Sequence, residues 1–414
     1  MVELSKTPTG RGLEDYFAAL LQTTGHFVEK NVEDPNVLEL DIVATNYEAA
    51  GPRTRVFEVK GADARFGDVF KLLGRMTYLG LAAGGFITTA VPRERPIETF
   101  TKVCNQAGIL FVVVPDLAQA DTVFDAMGFG RADSLRHEIW RFSYWLERIY
   151  VQAIGDLRPN NHVARKAIDY YKLVNSGIFL TRDPVEKIAK LYRAYAEHPK
   201  LTREMANSIA GSEPAGGTLL TASLRDGSTT PLHATMYFEH RARLSILKAA
   251  VDYLLLGRRS MSVEFLGLPQ TFHVGLSWLA DQPDYWLYPL FWQNFLWGWG
   301  GILPDDRRED VLAKIASTCG LLPDRVGSAL LAFDKLFPIP NGWRRRAGDT
   351  AYEFVLFTPF HFQGLGLFHQ AESLSITDYR LFAPSGRYTA TNLAARHNAA
   401  VRLMEEAVAA EATV

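Results

Sequence analysis

Cysteine is scarce in this chain: only Cys104 and Cys319 occur among its 414 residues. Two thiols cannot build a disulfide framework or a zinc site of several thiolates, so disulfide-stapled scaffolds and thiolate zinc fingers are excluded. Residues 1–10 lack the apolar run of a secretory signal peptide. We therefore expect a protein of the reducing cytoplasm.

An excess of charge of either sign is also missing. The chain has 44 Lys and Arg against 46 Asp and Glu, which gives a net charge of −2 at pH 7. Such a balance predicts no passive, field-driven binding of nucleic acid. It leaves open an enzyme that binds nucleic acid at a metal site, because such a site concentrates carboxylates and the metal offsets their repulsion.

Familiar nucleotide-binding and zinc-binding motifs are absent from the sequence. No Walker loop or GxGxxG loop with suitable flanking elements occurs, so the chain does not indicate an NTP-driven mechanism. The histidines, including His361 and His369, lack the spacing typical of zinc or HNH sites. We expect them to have structural roles.

One long uncharged run raises the question of a membrane span. Residues 285–303 contain no charge over 19 positions, close to the length of about 20 that a membrane helix needs. Pro289, Gln293, Asn294 and three glycines interrupt this run, however, and it is rich in tryptophan. Buried cores and subunit interfaces are both enriched in aromatic residues, so we expect one of these and no membrane association.

Helix and strand patterns alternate over the N-terminal part of the chain. Leu13, Phe17 and Leu21 recur at helical spacing, whereas residues 38–45 alternate between apolar and polar as a strand does. The predicted elements are a helix ending before Gly25, strands at 27–30, 38–45 and 53–60, a helix at 68–81 that Gly84 and Gly85 end, a strand at 86–91, a helix at 97–106 and a strand at 109–114. This order predicts an α/β layer structure.

Helical patterns dominate the rest of the chain. The predicted features are helices at 135–151 and 241–255, an exposed glycine- and serine-rich loop at 209–230, a strand at 352–357 and a closing helix at 390–411. We therefore expect an α/β domain at 1–118 and a larger, mainly α-helical region at 119–414. The second region would serve recognition, dimerisation or regulation, with a subdivision near 209–230.

Glu58 and Lys60 are the first candidates for chemistry. They lie two positions apart on a predicted strand and therefore project from the same face. The carboxylate suits a hard cation, and the ammonium can orient or polarise an attacking water. Antiparallel pairing across the turn at 47–52 would bring Asp41 beside Glu58, and two carboxylates with open positions suit Mg²⁺.

Glu14 is the fourth candidate. It shares a helical stripe with Phe17 and Leu21, which should face the sheet. A carboxylate on a buried stripe is costly unless it is paired or bound to metal. We therefore expect Glu14 to point towards the strand edge that carries Asp41 and Glu58.

Each of these residues has a simpler explanation when it is taken alone. Alternating charges on a strand, as at Asp41, Glu58 and Lys60, commonly form a solvated face. Glu14 is equally compatible with a charge at the start of a helix, where the macrodipole favours it. The joint order is more specific: a helix with an inward Glu, a strand with Asp, a turn, and a strand with Glu-x-Lys.

Asp41 followed by Glu58-Val59-Lys60 resembles the PD-(D/E)XK, or restriction-endonuclease-like, superfamily of nucleases. Residues 12–16 (GLEDY) resemble the first helix of its Mrr-like and archaeal-resolvase-like branches, and Leu40 stands where the motif has proline. The resemblance covers roughly the first 115 residues. It implies a central mixed sheet flanked by helices and cleavage that depends on Mg²⁺, which Mn²⁺ can replace.

The resemblance also assigns roles to residues. It implies that Asp41 and Glu58 are metal ligands, that Glu14 is an auxiliary ligand and that Lys60 positions the attacking water. Downstream, Lys71 and Arg75 stand at i and i+4 on the next predicted helix and are candidate contacts to DNA phosphates. The alternative for both is an ordinary solvated face. A charged surface loop is the preferred interpretation of the short basic run at 344–346.

The resulting prediction is a Mg²⁺-dependent endonuclease. The resemblance favours DNA as the substrate, although the chemistry of the site does not distinguish DNA from RNA. Cutting both strands of a duplex usually takes two sites, so we expect a homodimer. Similar architectures are frequent in restriction and anti-phage defence, an analogy rather than a property of these residues. The alternative is a nuclease-like scaffold that binds a partner protein in a larger complex, which the aromatic run at 285–303 suggests.

Overall fold

The computed structural model of the chain describes residues 7–33, 38–62, 64–93, 95–157, 162–175, 177, 183–210, 221–223, 229–231, 235–257, 267–295, 308–337 and 378–380. The chain divides into two compact units between Trp145 and Leu146. The first unit contains a five-stranded sheet, and the second is mainly helical.

A mixed sheet forms the centre of the N-terminal unit. The elements of this part are α1 (Arg11–Thr23), β1 (Phe27–Glu33), β2 (Glu39–Glu48), β3 (Gly51–Lys60), α2 (Phe66–Leu79), β4 (Gly84–Thr88), α3 (Ile97–Gln106), β5 (Ile109–Val113) and α4 (Ala120–Ala126). The strands lie in chain order, with β1, β2 and β3 antiparallel and β3, β4 and β5 parallel. The predicted α/β fold with a central mixed sheet and flanking helices is confirmed.

The connections follow from the strand directions. Only Ala49 and Ala50 separate β2 from β3, and the register pairs Tyr47 with Pro52, so the predicted antiparallel pairing across this turn is confirmed. Parallel strands need longer crossovers, which α2 and α3 provide. Helix α1 packs against the first three strands and buries Phe17 and Leu21.

The sequence predicts that Gly84 and Gly85 end the second helix, and this prediction is wrong. Gly80, which has a φ of +67°, ends α2, and the glycine pair opens β4 instead. A Cβ on Gly85 would lie 2.2 Å from Cδ1 of Phe57, and one on Gly84 would lie 2.6 Å from Sδ of Met76. Close packing against Met76 and Phe57 therefore leaves no room for a larger side chain at these two positions of β4.

The N-terminal unit extends past residue 118, where the sequence predicts the α/β domain to end. Helix α5 (Ser134–Leu157) begins within this unit, and its Trp140 is only 2% exposed. On the same helix, Nε2 of His137 donates to the carbonyl of Tyr16 at 2.9 Å. The hydroxyl of Tyr144 donates to Oε1 of Gln22, also at 2.9 Å. Because of these contacts with α1, the boundary between the two units lies after Trp145 and not after residue 118.

The second unit is mainly helical, as predicted. Its described helices are the end of α5, α6 (His162–Asn175), α7 (Pro184–Ala210), α8 (Thr235–Leu255), α9 (Gln270–Ala280), α10 (Tyr288–Gln293), α11 (Arg308–Thr318) and α12 (Val326–Leu336). Three short strands, β6 (Thr221–Ser223), β7 (Thr229–Pro231) and β8 (Asp378–Arg380), form a small antiparallel sheet. Two of these strands fall in the span 209–230, which the sequence predicts to be a loop.

The uncharged run at 285–303 is described as far as Phe295. Tyr288, Phe291 and Trp292 are fully buried there, which agrees with the expected core position. Across the described ranges, no helix combines the length and the apolar character that crossing a bilayer requires. The predicted strand at 352–357, the helix at 390–411, the basic run at 344–346 and the histidines at 361 and 369 lie outside the described residues.

Candidate active site

The predicted site residues meet where the pairing of β2 and β3 ends. The β2–β3 register stops at the pair Ile42 and Phe57. Beyond it, the backbone N–H of Val59 donates to Oδ2 of Asp41 at 2.9 Å. The chain therefore places the Asp41 carboxylate directly against the strand segment that carries Glu58.

Glu58 is a buried carboxylate held by two cations. Its side chain is 8% exposed, and its Oε1 lies 2.6 Å from Nζ of Lys60. Its Oε2 accepts a charge-assisted hydrogen bond from Nη1 of Arg75, which reaches over from α2. Pairing of this kind offsets the cost of burying a charged group.

Asp41 has a raised pKa. Burial raises the pKa of Asp41 to about 7, and the negative charges of Glu58 and Glu14 add to this effect. The hydrogen bond from Val59 and the charge of Lys60 act in the opposite direction. Asp41 is therefore close to half-protonated at neutral pH, and a nearby cation would favour its ionised form.

Glu14 and Lys60 complete the group of four. Burial raises the pKa of Glu14, which lies half-buried in the first turn of α1. For Lys60, burial lowers the pKa, but the hydrogen bond and charge of Glu58 outweigh burial and leave it raised. Lys60 is thus an ammonium at neutral pH, and with 35% of its side chain exposed it remains within reach of solvent.

The oxygen donors present fit a hard divalent cation of the Mg²⁺ type. Such an ion normally keeps several waters and takes only one or two protein carboxylates. Asp41 and Glu58 supply that number, and the pKa of Asp41 is raised mainly by burial and further by the charges of Glu58 and Glu14. Among the described residues, no group of three or more His, Cys, Asp and Glu side chains forms a ready metal cluster. Asp41 and Glu58 are the two carboxylates that would hold such an ion.

Lys71 and Arg75, the predicted phosphate contacts, have different surroundings. Lys71 is exposed on α2. Arg75 is only 20% exposed, because its guanidinium is turned towards Glu58. Nothing in the local sequence marks this contact, since Arg75 and Glu58 are 17 residues apart and belong to different elements.

A second buried ion pair was not foreseen from the sequence. Nζ of Lys30 on β1 contacts Oδ1 of Asp15 on α1, and both side chains are almost fully buried. The same ammonium lies 4.6 Å from the ring centroid of Tyr144 on α5. Asp15 follows Glu14 directly, so this pair fixes the turn of α1 that carries the auxiliary carboxylate.

His26 and His137 are structural, as expected for the histidines of this chain. Burial lowers the pKa of each to about 4, so both rings are neutral at pH 7. His137 uses its Nε2 to hold the carbonyl of Tyr16, and Nδ1 of His26 lies 3.2 Å from the carbonyl of Leu21.

Comparisons of the chain with protein-family models, with curated proteins and with solved structures found no match. Asp41 contacts the backbone of Val59, which lies between the paired residues Glu58 and Lys60, and Glu14 acts on Asp41 through its charge.

Proposed function

We propose that the N-terminal unit is a Mg²⁺-dependent endonuclease that hydrolyses phosphodiester bonds in DNA. The observation that carries this proposal is the juxtaposition of Asp41 with the Glu58–Lys60 pair at the end of the β2–β3 ladder. The sequence pattern of the PD-(D/E)XK superfamily, which the chain resembles, expects these residues at such a position. The mixed sheet with flanking helices is compatible with it.

Each residue has a role that its surroundings suit. Asp41 and Glu58 would hold the metal ion, and Glu14 would help through a bound water or by direct contact. When bound, Mg²⁺ supplies charge stabilisation to the phosphoryl group and lowers the pKa of a bound water. Lys60 is charged, half-buried and beside Glu58, so it can orient the attacking water and share the developing negative charge.

The choice of DNA as the substrate rests on the resemblance. A substrate panel would distinguish cleavage of DNA from cleavage of RNA. A homodimer would bring two such sites to the two strands of a duplex. The helical second unit would then serve recognition, dimerisation or regulation, in keeping with a role in restriction or anti-phage defence.

A cleavage panel tests the proposal directly. Purified protein is incubated with single- and double-stranded DNA and RNA in Mg²⁺, Mn²⁺ or EDTA, together with the variants Asp41→Asn, Glu58→Gln and Lys60→Ala. We expect metal-dependent cutting of DNA, lowered by about a hundredfold or more in each variant.

Glu39→Gln is the matched control for these variants. Glu39 lies on β2 two residues before Asp41, but its side chain is exposed. The control protein should cut like the wild type. Folded Glu58→Gln and Lys60→Ala proteins that both cut at the wild-type rate would contradict the assigned site.

A scaffold without nuclease activity is the second candidate function. The observation in its favour is that both oxygens of Glu58 are already paired, one with Lys60 and one with Arg75. Such a charge balance stabilises the fold without any metal. This candidate predicts that the protein binds no Mn²⁺, cuts no nucleic acid and instead forms a stoichiometric complex with a protein partner.

A further inference from the structure

Arg75 occupies one oxygen of the carboxylate that the proposed reaction needs. Helix α2 buries Val69, Leu72 and Met76, and Arg75 precedes the last of these on the flank of the helix that reaches Glu58. Lys60 takes the other oxygen of Glu58 at 2.6 Å. In this arrangement each oxygen of the Glu58 carboxylate contacts a positive charge.

A divalent cation on Glu58 would change the charge balance. The ion would lie within a few ångströms of both the guanidinium and the ammonium, where like charges repel strongly in a poorly solvated setting. Lys60 is two residues from Glu58 on the same strand, so the strand keeps the backbone of Lys60 beside Glu58. Arg75 reaches across from another element on a long side chain and is therefore the group that can leave.

We propose that Arg75 is a latch: it competes with the metal ion for Glu58 and, when the metal binds, turns to a phosphate of the substrate. This inference rests on the proposed function and adds its regulation. A released guanidinium suits the new role, because its planar fork of donors matches phosphate oxygens in pairs. Exposed Lys71 lies one helical turn earlier on the same side and marks the direction in which the phosphate backbone would run.

The latch couples two binding events. The metal must displace Arg75 before it can use Glu58 fully, and the displaced Arg75 then adds a phosphate contact. Linkage requires the reverse as well: a bound phosphate that holds Arg75 must raise the affinity for the metal. The site would therefore be closed in the metal-free protein and completed only when metal and nucleic acid are both present.

Mn²⁺ binding without nucleic acid tests the competition. Calorimetry compares the full-length wild type with Arg75→Met, Arg75→Lys, Asp41→Asn and the control Lys102→Met, which removes the same charge from an exposed position on α3. We expect Arg75→Met to bind Mn²⁺ about tenfold more tightly than wild type, within the usual range of couplings between sites. Arg75→Lys should lie between the two, and Lys102→Met should stay within about twofold of wild type.

A second measurement tests the release of Arg75 to phosphate. Fluorescence anisotropy follows a labelled DNA duplex with Ca²⁺ and without it. Ca²⁺ should raise the DNA affinity of the wild type and of Lys102→Met, and it should raise that of Arg75→Met several-fold less.

The outcomes separate the latch from the function on which it rests. Unchanged or weaker Mn²⁺ binding by Arg75→Met, together with loss of binding in Asp41→Asn, would overturn the latch and leave the metal site standing. An equal effect of Ca²⁺ on the DNA affinity of wild type and Arg75→Met would also overturn it. Mn²⁺ binding that Asp41→Asn leaves intact, or no binding in any variant, would overturn the metal site and hence the proposed function.

Discussion

Asp41 has to satisfy two opposing demands. It would have to be ionised to hold the proposed cation, yet burial and the charges of Glu58 and Glu14 raise its pKa to about 7. Glu58 has a different environment, with Nζ of Lys60 2.6 Å from its Oε1. The titration of Asp41 should be visible in the stability of the metal-free protein.

We predict that Asp41 makes the metal-free N-terminal unit less stable as the pH rises, whereas the buried His26 and His137, whose pKa values are lowered, act in the opposite direction. An Asp in the unfolded chain titrates near 3.8, whereas folded Asp41 titrates near 7, so the folded state binds the proton more tightly. The stability contributed by protonated Asp41 is complete below pH 4 and is lost as the pH rises through about 7. Between pH 5 and pH 8 this contribution of Asp41 falls by about 3 kcal/mol.

Urea unfolding in EDTA at pH 5 and pH 8 measures this loss. From pH 5 to pH 8 the free energy of unfolding of the wild type should change less favourably than that of Asp41→Asn, since the amide has no charge to bury and the histidines contribute equally to both proteins. Glu39→Gln, on the exposed part of the same strand, should behave like the wild type. Identical pH dependence in wild type and Asp41→Asn would show that Asp41 is not the titrating group.

At the scale of elements, β3, β4 and α2 approach so closely that side chains larger than hydrogen do not fit at two places. Gly85 lies under the ring of Phe57, and Gly84 lies under Met76. This packing fixes β4 beside the strand segment that carries Glu58 and Lys60, with Glu58 in register with Phe86 and Lys60 with Thr88. The glycines thus position the site without taking part in its chemistry.

Gly85→Ala should therefore destabilise the unit by about 1–3 kcal/mol, because the added methyl group would lie 2.2 Å from an atom of Phe57. Gly74→Ala is the matched control on α2, where an added Cβ meets nothing within 4 Å. The control should stabilise the unit by about 0.5–1 kcal/mol, since alanine is the better helix former. Chemical unfolding compares the two, and equal effects would contradict the close packing of β4.

At the scale of the whole molecule, the N-terminal unit continues along the chain beyond β5, the last strand of its sheet. Aromatic side chains that follow β5 complete the core of this unit: Phe124 stacks on Phe17 with ring centroids 5.9 Å apart. The ring of Phe129 lies 6.1 Å from that of Phe57. Residues 119–145 are thus part of the first unit, although their helical pattern resembles that of the second.

A fragment of residues 1–145 should fold cooperatively, whereas a fragment of residues 1–118 should not reach a fixed tertiary structure. The shorter fragment lacks Phe124, Phe129 and Trp140, and the loss of this buried aromatic surface costs more than about 3 kcal/mol. Near-UV circular dichroism and urea unfolding distinguish the two fragments. A well-folded 1–118 fragment would place the boundary where the sequence pattern has it.

The sequence by itself determined much of this architecture through local periodicity. The alternation of apolar residues defined the strands, and the spacing of Leu13, Phe17 and Leu21 defined α1. The short turn at 49–50 determined the antiparallel pairing of β2 and β3. Asp41, Glu58 and Lys60 became recognisable as one group for the same reason, since a two-residue spacing and a hairpin are local properties.

Only the tertiary structure decided which contacts form between elements that are distant along the chain. The contact of Arg75 with Glu58 depends on how α2 packs against β3, and the fit of Gly85 under Phe57 depends on the pairing of β3 with β4. The end of the first unit at Trp145 depends on α5 meeting α1. Packing energies between distant residues leave no periodic trace in the sequence, so these features appear only when the chain is folded.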